Sequence, residues 1–209
     1  MSDILTAEIE EVFLPTQFIK ELKAILGMKI KEIIKYTDAL FEDYDDCENF
    51  ETPELYTKKY FEYIDWAGLF GVLKFDSDLV LVFSSDESLN SLTVRVKRNS
   101  NEKQTTETSI SYNEKFLPFV LTSPDFIDPF WQSVVGAKVD AISLLKQEPK
   151  TVMYRHLPNE VGVIFKLDNQ LKFAVVHNLS EHGVFSIIPE SRILDQWRPG
   201  LKEIDIFDL

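Results

Sequence analysis

A single cysteine, Cys47, stands in the 209 residues, so an internal disulfide is excluded and a thiolate-rich zinc site cannot form. One thiol fits a reducing compartment. Acids at Asp43, Asp45, Asp46 and Glu48 surround it, and negative charge raises a thiol's pKa and depletes the nucleophilic thiolate. Cys47 is therefore a poor catalytic nucleophile. Long apolar runs are also missing: nowhere do about 18 apolar residues follow one another, and Met1 to Phe13 has no basic segment leading into an apolar one. The expectation is a cytoplasmic protein with no membrane partner.

Glycine is scarce, with 7 residues dispersed at turn-like sites, and no G-x-S-x-G elbow, P-loop or G-x-G-x-x-G occurs. Histidine is scarcer still. His156, His177 and His182 lack the i, i+4 spacing of a helical zinc pair. Positive charge is short as well: 22 Lys and Arg face 35 Asp and Glu, a net charge of −13. Binding nucleic acid through its phosphates needs dense positive charge to displace counterions, so a nucleic-acid partner is disfavoured and a basic protein partner favoured.

What the chain does have is 44% hydrophobic and 12% aromatic residues, enough to bury a sizeable core. It also has an internal similarity. FIKELKAILGMKIKEI, from Phe18, resembles FIDPFWQSVVGAKVDAI, from Phe126, matching Gly27, Lys29, Ile30 and Ile33 with Gly136, Lys138, Val139 and Ile142 at an offset of 109. LKFDSDLVLVF, from Leu73, resembles FKLDNQLKFAV, from Phe165, at an offset of 92. The 17-residue difference between 109 and 92 implies an insertion in the first copy. The fold class expected is α+β, with tandem duplicated units, each a helix followed by a hairpin-rich antiparallel β-sheet, packed as one compact protein. Residues 1–116 form the first unit, with an acidic insertion at about 38–56, and residues 117–209 form the second.

Local signals fill in the units. Phe18, Leu22, Ile25 and Leu26 recur at helical spacing before Gly27, a helix-stop residue. Ser123-Pro124 and Asp128-Pro129 both suit the start of the second helix, which Gly136 ends. Apolar residues alternate on each side of Asp76-Ser77-Asp78 and Asp168-Asn169-Gln170, which predicts two hairpins. Leu92 to Val96 and Val184 to Ile188 add a strand to each unit, the latter stopped by Pro189. The polar stretch from Val96 to Lys115 suits either a solvent-facing strand or a linker.

Inside the insertion, FEDYDDCENFETPE (Phe41 to Glu54) holds Glu42, Asp43, Asp45, Asp46, Glu48, Glu51 and Glu54 and no Lys or Arg. Asp43, Asp45, Asn49, Glu51 and Glu54 fall on ligand positions of an EF-hand loop, but Cys47 and Glu48 replace a ligand and the turn glycine, and Pro53 opposes an exiting helix. No metal or other cofactor is expected. Charge is one-sided: residues 1–116 carry 23 acids and 13 bases, net −10, while 117–209 carry 12 and 9, net −3. Aromatics follow at Tyr56, Tyr60, Phe61, Tyr63, Trp66 and Phe70. Carboxylates beside exposed rings are how many protein interfaces steer and anchor a partner.

The expected partner site is thus Glu42, Asp43, Asp45, Asp46, Glu48, Glu51, Glu54, Tyr60, Tyr63 and Trp66. The expected function is a non-enzymatic acidic protein that docks a basic protein, with immunity-type inhibitors of cationic toxins or nucleases as the analogy. A different class remains in view: a hydrolase or transferase using carboxylates and a histidine, centred on Arg155, His156 and Glu160 in YRHLPNE. A third reading is a structural subunit whose partner is a second copy of the chain, as a homodimer.

Overall fold

A computed structural model describes residues 13–38, 68–98, 116–124, 128–149, 151–180 and 185–209. Among these residues two short helices lead two sets of strands. Pro15 opens a 3-10 turn, Pro15–Phe18, that runs into α1, Ile19–Ala24. Asp128 accepts the Phe130 N–H at 2.8 Å and Pro129 takes the first helical position of α2, Pro129–Val134. A glycine in the left-handed region follows each helix, Gly27 at φ +79° and Gly136 at φ +78°. Without a Cβ, glycine enters this region at no steric cost.

The β-strands are Ile30–Asp38 (β1), Gly68–Phe75 (β2), Leu79–Asp86 (β3), Ser91–Arg98 (β4), Phe116–Val120 (β5), Val139–Gln147 (β6), Glu160–Leu167 (β7), Lys172–His177 (β8), Phe185–Pro189 (β9) and Leu201–Asp205 (β10). They form two antiparallel sets of five, ordered β5-β1-β2-β3-β4 and β10-β6-β7-β8-β9. Each set's last strand in the chain returns to flank its first. The expected hairpins β2–β3 and β7–β8 are present, and the second turns through Gln170 at φ 70°.

The proportion of helix is a correction to the α+β expectation. Of the apolar stretch from Phe18 to Leu26 only six residues are α-helical, and the described protein is mostly β. The residues after each glycine explain this. Ile30, Ile33, Ile34 and Thr37 in IKEIIKYTD and Val139 and Ile142 in VDAISLLKQ are β-branched residues that favour a pleated surface, and each segment is a nine-residue strand.

Among the described residues, strand pairing joins the sets in two places. Lys29 pairs with Lys138 in an isolated antiparallel bridge. Around it the backbone bonds come in matched couples: Gly27 N–H donates to Val139 O and Gly136 N–H to Ile30 O, both at 2.8 Å, while Ile30 N–H donates to Ala137 O at 2.9 Å and Val139 N–H to Met28 O at 3.0 Å. The hairpin turns are tied in the same way. Asp76 accepts the Lys29 N–H and Asp168 accepts the Lys138 N–H, each at 3.0 Å. The second meeting is the single pair Gly68–Phe185 between β2 and β9.

One large core joins both sets and both helices. It contains Leu22, Ile25, Leu73, Leu81 and Phe83 from the first half and Trp131, Val134, Phe165, Phe173 and Val175 from the second. Phe165 stacks on Phe173 with centroids 4.9 Å apart and meets Phe83 edge-on at 6.1 Å, which are favoured aromatic geometries. A separate cluster on the second set brings Ile193 and Trp197 against Ile164, Ala174 and Val176. Another on the first set holds Ile34, Val72, Val80 and Val82. Strands buried on both faces read as unbroken apolar runs, as Phe173 to Val176 does.

Candidate functional site

The residues expected to dock a partner, Glu42, Asp43, Asp45, Asp46, Glu48, Glu51, Glu54, Tyr60, Tyr63 and Trp66, lie outside the described residues. The second candidate group is separated by the fold. Arg155 and His156 are exposed on the 3-10 turn Val152–His156, their side chains without a hydrogen bond or ion pair among the described residues. Glu160 opens β7 at 2% exposure. Its carboxylate accepts the Thr16 N–H at 2.9 Å and the Thr16 hydroxyl at 2.6 Å, and Lys146 Nζ lies 3.4 Å away. A carboxylate so occupied acts as a structural anchor between the lead-in to α1 and β7.

Glu160 belongs to a polar layer between the two strand sets. Asn90, at φ 46°, ends the 3-10 turn Glu87–Leu89 and donates through Nδ2 to Oδ1 of Asn159, itself at φ 53°, at 2.7 Å. Asn tolerates left-handed backbone better than most residues, which is why it serves at both turns. Asn159 Nδ2 then donates to the carbonyls of Tyr154 and Leu157, each at 2.8 Å. Ser91 accepts the Glu160 N–H at 3.0 Å and donates to Leu89 O at 3.0 Å. Every contact in this layer joins one scaffold element to another.

The same layer fixes an exposed turn. Val152, Met153 and Tyr154 are 67%, 83% and 39% exposed, next to Arg155 and His156. Their backbone is held from below by Asn159 and by the internal bonds Tyr154 N–H to Thr151 O and Leu157 N–H to Tyr154 O, both 3.2 Å. Consecutive apolar side chains on a braced turn are the feature that sequence reading missed here. TVMYRH has no period, and exposure of Met or Val cannot be read without the strands on either side.

His177, at the end of β8, is wholly buried. Its Nε2 lies 3.1 Å from Asn178 Nδ2, while Nδ1 is buried with no hydrogen-bond partner among the described residues. Burial pushes its pKa below the ordinary histidine value, and the carboxylates of Glu87 and Asp86 oppose that shift. His182 lies outside the described residues. Among the described residues no three His, Cys, Asp or Glu side chains gather as a metal ion would need. No helix there is long and apolar enough to cross a membrane.

No protein-family model, curated protein or solved structure matches the chain.

Proposed function

We propose that the chain is a non-enzymatic binding protein, built on two duplicated units, that docks a basic protein partner through the acidic insertion at about 38–56. The observation that carries this is charge: seven carboxylates and no Lys or Arg from Phe41 to Glu54, on a chain of net charge −13. At that density like charges repel and extend a loop, so stability alone does not favour them. Long-range attraction of a cationic partner does. Supporting it, the polar layer around Asn90, Asn159 and Glu160 is committed to scaffold hydrogen bonds. An immunity-type inhibitor of a cationic toxin or nuclease, acting in the cytoplasm, is the form that such a protein takes by analogy.

Duplication of the units is supported by the common strand order and by the matched amide bonds of Gly27 and Gly136. The test of function is replacement of Asp43, Asp45, Asp46 and Glu48 by Asn or Gln. Basic proteins retained by the immobilised wild type at low salt should be lost at high salt and from the neutralised variant, because exposed charges are screened within about 10 Å at 0.1 M salt. Equal retention by both forms would sink the proposal.

A further inference from the structure

We infer that His177 is a proton-sensitive latch on the joint between the two strand sets: when its imidazole becomes charged, the end of β8 releases Phe185, and the Gly68 bridge goes with it. The geometry is a chain of three residues. His177 pairs with Phe185 as the last register position of β8 and β9, and Phe185 pairs on its other side with Gly68, the only pair joining β9 to β2 among the described residues. The joint is also tightly packed. An ideal Cβ on Gly71 of β2 would stand 2.5 Å from Ile187 Cδ1 and 3.0 Å from Phe185 Cζ.

An imidazolium has two N–H donors and a full charge, so in a buried site it needs acceptors for both nitrogens. Among the described residues Nδ1 has none, and the partner of Nε2 is Asn178 Nδ2, an amide donor that cannot accept. Asp86 and Glu87 are the nearby carboxylates, but Asp86 Oδ1 already accepts from Ser88 N, Ser88 Oγ and Leu89 N at 2.9, 2.6 and 3.2 Å, and Glu87 is exposed. On β7, the neighbour of β8, Glu160 is held by Thr16 and Lys146. β4 also packs on β8 and carries Arg95 and Lys97, of the wrong sign to receive a cation. The 3-10 turn Glu190–Arg192 lies at the far end of β8, where Phe173 pairs with Pro189, and its Glu190 is bound by Arg198. At the near end β9 offers only Phe185 and Ser186. Movement of His177 towards water is then the way to satisfy its charge.

The sign follows from linkage. The folded pKa is lowered, so the closed joint is fully stable above the ordinary histidine value of 6.5. It weakens as pH falls below that value and stops weakening once the folded-state pKa is passed. The test is amide hydrogen exchange followed by mass spectrometry on the intact protein from about pH 8 to about pH 5, corrected for the intrinsic pH dependence of exchange, with NMR titration of the imidazoles. Peptides covering Phe185–Pro189 and Gly68–Phe75 should open more readily below about pH 6.5, by up to tenfold per pH unit for one proton. His177→Gln should abolish the dependence, while His156→Gln, at an exposed site, should leave it unchanged.

Protection that stays flat in the wild type, or that falls equally in His177→Gln, would overturn the inference. So would an imidazole that titrates in place, taken up by Asp86 or Glu87, without loss of protection. Should His177→Gln not fold, the wild type decides alone: protection must fall between about pH 6.5 and the midpoint of the His177 resonance, and a fall outside that window refutes the latch.

Discussion

Thr16 and Glu160, 144 residues apart, are joined by two hydrogen bonds, one from the Thr16 amide and one from its hydroxyl, to the same buried carboxylate. The bond fastens the lead-in to α1 to the first residue of β7. Removing Glu160 strands Lys146 and two donors. Glu160→Ala should cost about 1–3 kcal/mol, and Thr16→Val, which removes only the hydroxyl, about 1 kcal/mol. Denaturant unfolding of both single variants and the double should show strong non-additivity, and independent effects would contradict the anchor role.

Gly27→Ala and Gly136→Ala form a matched pair. Nothing lies within 4 Å of a Cβ at either position, so the cost is backbone strain alone, about 1–2 kcal/mol at each. Equal losses in melting experiments are expected. A large loss at one glycine beside none at the other would argue against equivalent roles for the two turns.

At Gly71 the obstacle is packing. Gly71→Ala drives a methyl against Ile187 and Phe185 and should destabilise by about 1–3 kcal/mol. Combining it with Ile187→Val removes the nearest methyl, Cδ1, and should recover part of that loss. No recovery in the double variant would place the strain elsewhere.

The exposed turn offers the opposite case. Met153→Asp changes a side chain 83% exposed and should alter stability by less than about 0.5 kcal/mol. Asn159→Ala, beneath the same turn, frees the Asn90 donor and two carbonyls and should cost about 1–3 kcal/mol. A partner whose affinity falls with Met153→Asp at unchanged melting temperature would identify the turn as a contact surface.

Much of the β-structure was legible where short turns punctuate alternating residues. Asp76-Ser77-Asp78 and Asp168-Asn169-Gln170 mark β2–β3 and β7–β8 because Asp, Asn and Ser bond their own backbone at turns. β1 and β6 were harder, since Ile30, Ile33 and Ile34 suit a helical face as well as a strand buried on both sides, and only tertiary packing decides. The first helix was over-read for the same reason: Phe18 shares the helical spacing of Leu22 but sits in the 3-10 turn that Pro15 begins. Arg155 and His156 are neighbours of Glu160 in sequence, but the bond from its carboxylate to Thr16, 144 residues away, could not be read there. The acidic residues Glu42 to Glu54 were legible as charge, and charge alone specifies no geometry.

The return of β5 to the flank of β1 has a consequence for how the chain is made. Ile34 pairs with Val120, so one edge of β1 has no β5 partner until the ribosome has added the intervening segment. At about 5–20 residues per second that interval lasts several seconds. An uncovered strand edge is a template for pairing with another nascent chain. The first half should therefore be the more dependent on holding factors during synthesis, and Pro118, exposed within β5, is the residue there that limits edge-to-edge pairing once the strand is in place.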